Sequence, residues 1–242
     1  LSRFQEPIIN HFIHGRINAF GDHFTPSVAL ISPLYWITNR SEMILIVQAL
    51  AVGISGIFLY DIGRIVLKNK LLSFSILVSY FLFVGLQNAV ITEFHELTVM
   101  TLPFMIAFWS LVRNKIPLYF IFLIISLGFK ESTFALGIGL GIAIFLLEKK
   151  WRKVGIATII ISAVWGILSL KVIIPYFASG DYLYASAIPD GISEKFTAFF
   201  DVLEKRRTVF FSFLSFLCLH CLVVRMRLGV VSYSIIFSIT IW

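Results

Sequence analysis

Residues Ile116 to Leu147 read IPLYFIFLIISLGFKESTFALGIGLGIAIFLL, an apolar tract whose only charged residues are Lys130 and Glu131. Basic residues flank the tract on both sides, between 113 and 115 and between 149 and 153. Basic loops of membrane proteins face the cytoplasm, so both ends are predicted there and the tract turns at Lys130. Each arm of this short helical hairpin has about 14 to 17 residues, slightly fewer than the roughly 20 of a full span.

Composition extends this interpretation to the whole chain. Hydrophobic residues make up 59% of it, charged residues 14%, and the mean hydropathy is +0.93. In soluble proteins roughly a quarter of the residues are charged. We therefore predict an all-α protein, a polytopic transmembrane helical bundle that forms a single integral membrane domain over residues 1–242. Both ends of the sequence look cut, and we expect it to be a piece of a longer protein.

The apolar runs predict about eight membrane helices. Two of them are the arms of the hairpin. The other spans are predicted near residues 43–63, 71–91, 97–112, 154–174, 208–224 and 228–242.

Two longer segments are predicted to lie on the outer face. Residues 1–42 form an outer loop, in which the apolar stretch 27–37 is too short to cross and is predicted as a re-entrant or surface helix. Residues 175–207 form a second outer loop. Its apolar residues recur at helical spacing opposite charged ones, which predicts an amphipathic helix on the membrane surface.

The distribution of charge indicates orientation. The formal net charge is +7, but the basic residues cluster in short links between apolar runs, which is typical of membrane topology and not of nucleic-acid binding. The predicted cytoplasmic links carry a net +9 and the outer segments a net −2, which sum to the +7 of the chain. We expect a multi-pass protein of the plasma membrane, with membrane lipid as a partner and no nucleic acid.

Lys130 and Glu131 need an explanation inside an apolar tract. An ionised side chain deep in a membrane helix costs about 2.5 to 3.5 kcal/mol, so these two require a partner, a wet cavity or a site near the interface. One alternative is a salt bridge between the two at the turn. Lys171, at the outer end of its predicted span, either extends its ammonium to the interface or pairs with a phosphate.

Further polar residues are predicted on the same outer face. Asp22 and His23 lie between Gly21 and Pro26, a rigid setting that is compatible with a catalytic carboxylate or a metal ligand; the alternative for Asp22 is a helix cap. The remaining candidates are assigned to substrate binding together with Lys130, Glu131 and Lys171. They are Glu93, His95, Glu96, Tyr182 and Tyr184.

Four ordered motifs give the chain a family resemblance. They are GDHFTP at 21–26, EFHEL at 93–97 followed by Pro103, KES at 130–132 and KVIIPYF at 171–177. With these motifs the sequence resembles the predicted membrane proteins grouped as domain of unknown function 2079. Ser132 and Glu96 stand where that family often has an acidic residue and a proline.

The resembled family is similar in layout to the glycosyltransferase C superfamily, which transfers sugars from polyprenyl-phosphate carriers on the outer face of the membrane. The resemblance implies that Asp22, in the first outer loop, is the catalytic acidic residue, assisted by His23, and that the donor is a polyprenyl-phosphate sugar. The cofactor is unknown, with a divalent metal ion as the candidate. Two alternatives stay open: a transporter or channel with an intramembrane Lys-Glu site, and a non-enzymatic membrane scaffold.

Overall fold

The computed structural model describes residues 7–11, 15–37 and 40–178, and this part of the chain is mostly helical. The predicted amphipathic helix after residue 178, the spans at 208–224 and 228–242, and Tyr182 and Tyr184 lie outside the described residues.

Two described helical segments are long and apolar enough to cross a membrane. Helix α2, Glu42–Leu67, has 26 residues. The second runs from Lys149 to Ala178 and comprises a 3-10 turn (Lys149–Trp151), helix α8 (Arg152–Leu168), a π-helical turn (Ser169–Ile173) and helix α9 (Ile174–Ala178). A third span is present if α3 (Lys70–Phe81) and α4 (Val84–Ile91), which meet at a 48° bend, count as one.

The remaining apolar helices are shorter, so the predicted total of about eight membrane helices is not confirmed. They are α5 (Glu96–Val112), α6 (Ile116–Leu127) and α7 (Thr133–Leu147), of 17, 12 and 15 residues. The predicted hairpin turn is present between α6 and α7. The Thr133 hydroxyl closes it by donating hydrogen bonds to the carbonyl oxygens of Leu127 (2.8 Å) and Lys130 (2.6 Å).

Small residues allow α7 and α8 to approach closely. A Cβ added to Gly141 would lie 2.8 Å from the carbonyl oxygen of Gly155, and one added to Gly166 would lie 2.5 Å from the Phe134 ring. Close backbone approach through glycine is a common way for membrane helices to pack. The contacts run from Gly155 with Gly141 to Gly166 with Phe134, so the two helices are antiparallel.

One end of the bundle gathers the basic links, and we call it the basic end: residues 61–70, 109–115 and 148–153. The Arg113 guanidinium bonds the Asp61 carboxylate at 2.7 Å, which joins α2 to the end of α5. Lys150 donates to the Asn114 side chain at 2.9 Å, which joins the α7–α8 link to the α5–α6 link. The predicted separation of basic loops from the polar motifs is thus present along the bundle axis.

The opposite end, the motif end, comprises residues 20–37, 89–96, 128–134 and 165–178. The Ser27 amide donates to the carbonyl oxygen of Gly128 at 2.9 Å, and Phe24 stacks on Trp165 with ring centroids 5.5 Å apart. Residues 24–27 are therefore attached to both the hairpin turn and the end of α8.

Two features of residues 7–37 differ from the outer loop with one short helix that the sequence predicts. Residues Ile8–His11 (β1) and Gly15–Asn18 (β2) form an antiparallel hairpin, which leads into the short helix α1 (Ala19–Asp22). Strands of four residues are too short for a reliable alternating pattern. Residues 27–37 do not form one helix but two 3-10 turns, Pro26–Leu30 and Ser32–Trp36, each with a proline at its start. Proline supplies no backbone N–H and is accommodated in the first turn of a helix.

Candidate functional site

His23 and Glu131 make the contact that defines the site. The His23 Nδ1 atom lies 2.9 Å from the Glu131 Oε1 atom, across 108 residues of sequence. The second carboxylate oxygen, Oε2, accepts the Phe24 amide at 3.2 Å. The Glu131 side chain is 3% exposed and that of His23 is 30% exposed. A nearly buried carboxylate thus holds the imidazole and the backbone of the GDHF turn.

Asp22 lies on the other side of the imidazole. Its Oδ1 atom is 4.0 Å from the His23 Nε2 atom, and its side chain is largely buried. Asp22 is the last residue of α1, and the cap of that helix is the Asn18 side chain, which accepts the Phe20 amide. The 3-10 turn that begins at Pro26 has Thr25 at its N-cap position, so the helix-cap alternative for Asp22 is wrong. The imidazole lies between two carboxylates.

Glycine and serine fix the GDHF turn from two sides. A Cβ added to Gly21 would lie 2.8 to 2.9 Å from the backbone of Phe177 and Ala178. The Ser27 hydroxyl donates to the Ile125 carbonyl at 2.7 Å and leaves no room for a side chain at Gly128. The turn is clamped between α9 and the α6–α7 hairpin, which orients Asp22 and His23.

Aromatic rings complete this support. Phe20 makes edge contacts with Phe24 and with Phe177, at centroid distances of 5.6 and 5.7 Å. Phe24 in turn stacks on Trp165 of α8. Aromatic pairs of this geometry contribute about 0.5 to 1.5 kcal/mol each beyond the burial of their area. The segment KVIIPYF therefore contacts the GDHF turn through Phe177.

The Glu131 carboxylate bonds His23 and the Phe24 amide. The hydrogen bond from His23 to Glu131 raises the pKa of His23 above its ordinary 6.5, although burial opposes it. Burial would raise the pKa of Glu131, but hydrogen bonding and attraction from His23 outweigh it and lower that pKa below 4.5. An ion pair is favoured.

Gln48 holds residues 93–96, which we call the EFHE loop. It was not among the site residues predicted from the sequence. Its amide nitrogen donates to the carbonyl oxygens of Ala89 (2.9 Å) and Glu93 (3.0 Å), and its oxygen accepts the His95 amide at 2.7 Å. The residue is completely buried. The sequence contains one signal for this role: Gln48 is a lone amide side chain within the apolar run of α2, and a buried polar group requires hydrogen-bond partners.

The EFHE loop joins the site through its apolar residue. Phe94 packs on a buried cluster that contains Ile31, Met100 and Phe129, the residue before Lys130. The polar side chains of the loop point elsewhere: Glu93 is 77% exposed, and His95 lies 4.0 Å from the Glu93 carboxylate. Glu96 begins α5. The described contacts do not bring these three side chains to His23 or Glu131.

Lys130 and Lys171, two further predicted site residues, lie in different environments. Lys130 is half-buried beside the pair, and its charge acts on both His23 and Glu131. Lys171 is exposed within the π-helical turn that precedes α9. Single π turns inside helices occur frequently at functional sites.

A metal ion has no assembled ligand set in the described part of the chain. There, no three His, Cys, Asp or Glu side chains converge in a way that could hold one. The described hydrogen bonds of His23 and Glu131 are to protein groups.

An apolar groove opens next to the site. It is lined by Pro7, Val28, Ile31, Ser32, Tyr35, Ile44 and Phe94. Val28, Ile31 and Phe94 belong to the same packed cluster as Phe129, so one wall of the groove is continuous with the base of the hairpin turn.

Comparison with known proteins supports the membership that the four motifs indicate. No curated protein and no solved structure matches the chain. The model of one family, described as "Predicted membrane protein (DUF2079)", matches residues 7–205, which include all four motifs. The chain belongs to this DUF2079 family of membrane proteins.

Proposed function

We propose that this protein is a membrane glycosyltransferase-like enzyme that uses a polyprenyl-phosphate sugar on the outer face of the membrane. The observation that carries the proposal is the contact between His23 and Glu131, with Asp22 4.0 Å from the imidazole. It unites two motifs that are far apart in the sequence. A buried ion pair costs free energy to assemble, and such groups are concentrated at functional sites.

Asp22 is the base in this proposal. As the acceptor hydroxyl attacks the anomeric carbon, its proton passes to the Asp22 carboxylate. The bond between that carbon and the phosphate oxygen breaks, and the polyprenyl phosphate leaves with the electron pair. A positioned base contributes typically 10² to 10⁴ in rate.

Cations stabilise the leaving group. The imidazole of His23, whose pKa is raised by its hydrogen bond with Glu131, lies at the site together with the half-buried Lys130. Fixed charges aimed at a developing negative charge are usually the largest single contribution to catalysis. Glu131 is a positioning residue, because its oxygens bond His23 and the Phe24 amide.

The location of the site supports a lipid-linked donor. The site lies at the end of the bundle opposite the basic links, which the positive-inside rule assigns to the cytoplasm. The apolar groove lined by Val28, Tyr35 and Phe94 adjoins it and would accept hydrocarbon.

The test is sugar transfer by the full-length protein in membranes supplied with radiolabelled polyprenyl-phosphate sugars. Asp22→Asn should lower the rate of transfer by about 10² to 10⁴. Glu93→Gln is the matched control, because that carboxylate is 77% exposed and outside the pair, and it should retain most of the activity. Transfer that is unchanged in Asp22→Asn would remove the assigned role of this residue. Absence of transfer with every polyprenyl-phosphate donor would overturn the proposed function.

A further inference from the structure

The basic end carries a concentrated charge that the proposed function does not use. Nine Lys and Arg lie there against two acids, a formal net charge of +7. All nine side chains belong to exposed residues. They are Arg64, Lys68, Lys70, Arg113, Lys115, Lys149, Lys150, Arg152 and Lys153.

The α5–α6 link and the α7–α8 link, which both carry cations, contact each other at the basic end. Asn114 adopts a left-handed backbone conformation with φ of 60°, which turns the chain sharply between α5 and α6. Its side-chain oxygen accepts a hydrogen bond from the Lys150 ammonium at 2.9 Å. Lys115 directly follows Asn114 in the sequence, so this hydrogen bond brings the α7–α8 link to the part of the α5–α6 link that carries Lys115. A single helix end would not assemble this arrangement.

Tryptophan rings lie under these ammonium groups. The Lys115 Nζ atom is 5.0 Å from the centre of the Trp109 ring, and the Lys150 Nζ atom is 4.5 Å from that of Trp151. Tryptophan is enriched where membrane proteins cross the lipid headgroups. The two rings therefore place the lysines at headgroup depth.

Two acids, Asp61 and Glu148, accompany the nine cations of the basic end. Arg113 is bonded to Asp61, which accounts for one of the two acids. Helix α6 begins beside Lys115 with no side-chain cap and no acid in its first turn. The positive end of its dipole adds to the attraction for an anion.

We infer that Lys115 and Lys150, with Trp109 and Trp151, form a binding site for the phosphate of an anionic phospholipid at the basic end. Basic pockets between membrane helices bind such headgroups, and lysine serves as a compact point charge for phosphate. The site does not depend on the proposed function, because it lies at the other end of the bundle from Asp22 and His23. It would anchor and orient the helix ends in the leaflet that carries anionic lipid.

Native mass spectrometry of the full-length protein, released from nanodiscs of phosphatidylcholine and phosphatidylglycerol, tests the site. The protein should retain phosphatidylglycerol in preference to phosphatidylcholine. The double variant Lys115→Gln/Lys150→Gln should weaken retention at least about tenfold, because a direct hydrogen bond to a charged group contributes roughly 1.5 to 3 kcal/mol. The control Lys68→Gln/Lys70→Gln removes the same charge from the α2–α3 link and should change retention less than threefold.

Three outcomes would overturn the inference. Equal losses in the two double variants would show a diffuse response to net charge without a site. Equal retention of the two lipids by the unaltered protein would show no headgroup preference. Displacement of phosphatidylglycerol by millimolar inorganic phosphate would identify a site for the free anion in place of the lipid.

Discussion

The two ends of this protein hold their charges in different ways. At the basic end the cations are exposed, two of them, Lys115 and Lys150, lie on tryptophan rings, and the described ion pair of Asp61 with Arg113 is itself 36% to 45% exposed. At the motif end a carboxylate that is 3% exposed is bonded to an imidazole from a distant segment. Solvent weakens the first kind of interaction, and burial strengthens the second. The difference predicts that substitutions at the two ends have unequal effects on stability.

The largest expected effect is that of Glu131→Ala. The substitution removes the two carboxylate oxygens that bond the His23 imidazole and the Phe24 amide, and it leaves the imidazole without its charged partner. Breaking a buried pair costs roughly 3 to 5 kcal/mol, and the partial exposure of His23 favours the lower value. We expect a marked fall in the midpoint of thermal unfolding in detergent. The exposed control Glu93→Ala should change stability by less than about 0.5 kcal/mol, and equal effects of the two would contradict the comparison.

The second prediction tests whether the GDHF turn packs directly against the backbone of α9. Gly21→Ala would place a methyl group 2.8 to 2.9 Å from the backbone of α9, which cannot rotate away. Overpacking of this kind costs about 1 to 3 kcal/mol. Gly139→Ala is the matched control: a Cβ there meets nothing within 4 Å, and alanine favours the helix by about 0.5 to 1 kcal/mol. Thermal unfolding should therefore shift in opposite directions, and a stabilising Gly21→Ala would show that the clamp is absent.

The smallest expected effect is at the basic end. Asp61→Asn removes the charge that bonds Arg113 but leaves an oxygen for the Trp109 indole, which donates to Asp61 at 2.8 Å. Exposed ion pairs contribute about 0.2 to 1 kcal/mol. The variant should lose no more than this in thermal unfolding and should retain sugar transfer. A loss as large as that of Glu131→Ala would contradict the proposed contrast between the ends.

The sequence predicts the helices of the described part better than it predicts the site. Apolar runs and basic flanks gave α2, α5 and the hairpin turn at Lys130 to within a few residues, because side-chain hydropathy and charge determine which segments enter a membrane. The bend between α3 and α4 was not predicted. Strands β1 and β2 were missed because each gains stability from pairing with the other, which a short segment does not reveal alone.

The candidate site was predicted in part. The sequence motifs supplied Asp22, His23 and Glu131, and the structure brings these three together. It does not bring the polar side chains of Glu93, His95 and Glu96 to them, because Gln48 fixes that loop with its apolar residue inward. Hydropathy and loop charge predict on which side of the membrane a residue lies, but they do not specify which residue of a distant segment it contacts.

The pH dependence of the pair follows from its pKa shifts. The raised pKa of His23 stabilises the fold fully below 6.5, and this contribution is lost as the pH rises through the folded value. The lowered pKa of Glu131 stabilises the fold above 4.5, and this contribution is lost as the pH falls through the folded value. Both contributions are present between these limits, so the pair should be strongest near the middle of that window.

A double-mutant cycle in this window tests the central claim, that the GDHF turn and the hairpin turn meet through His23 and Glu131. Thermal unfolding of the full-length protein would be compared for His23→Gln, Glu131→Gln and the double variant. A charged hydrogen bond of this kind is worth about 1.5 to 3 kcal/mol, and the cycle should return a coupling energy in that range, which declines at alkaline pH. Single effects that add to within about 0.5 kcal/mol at every pH would show that the two residues do not touch.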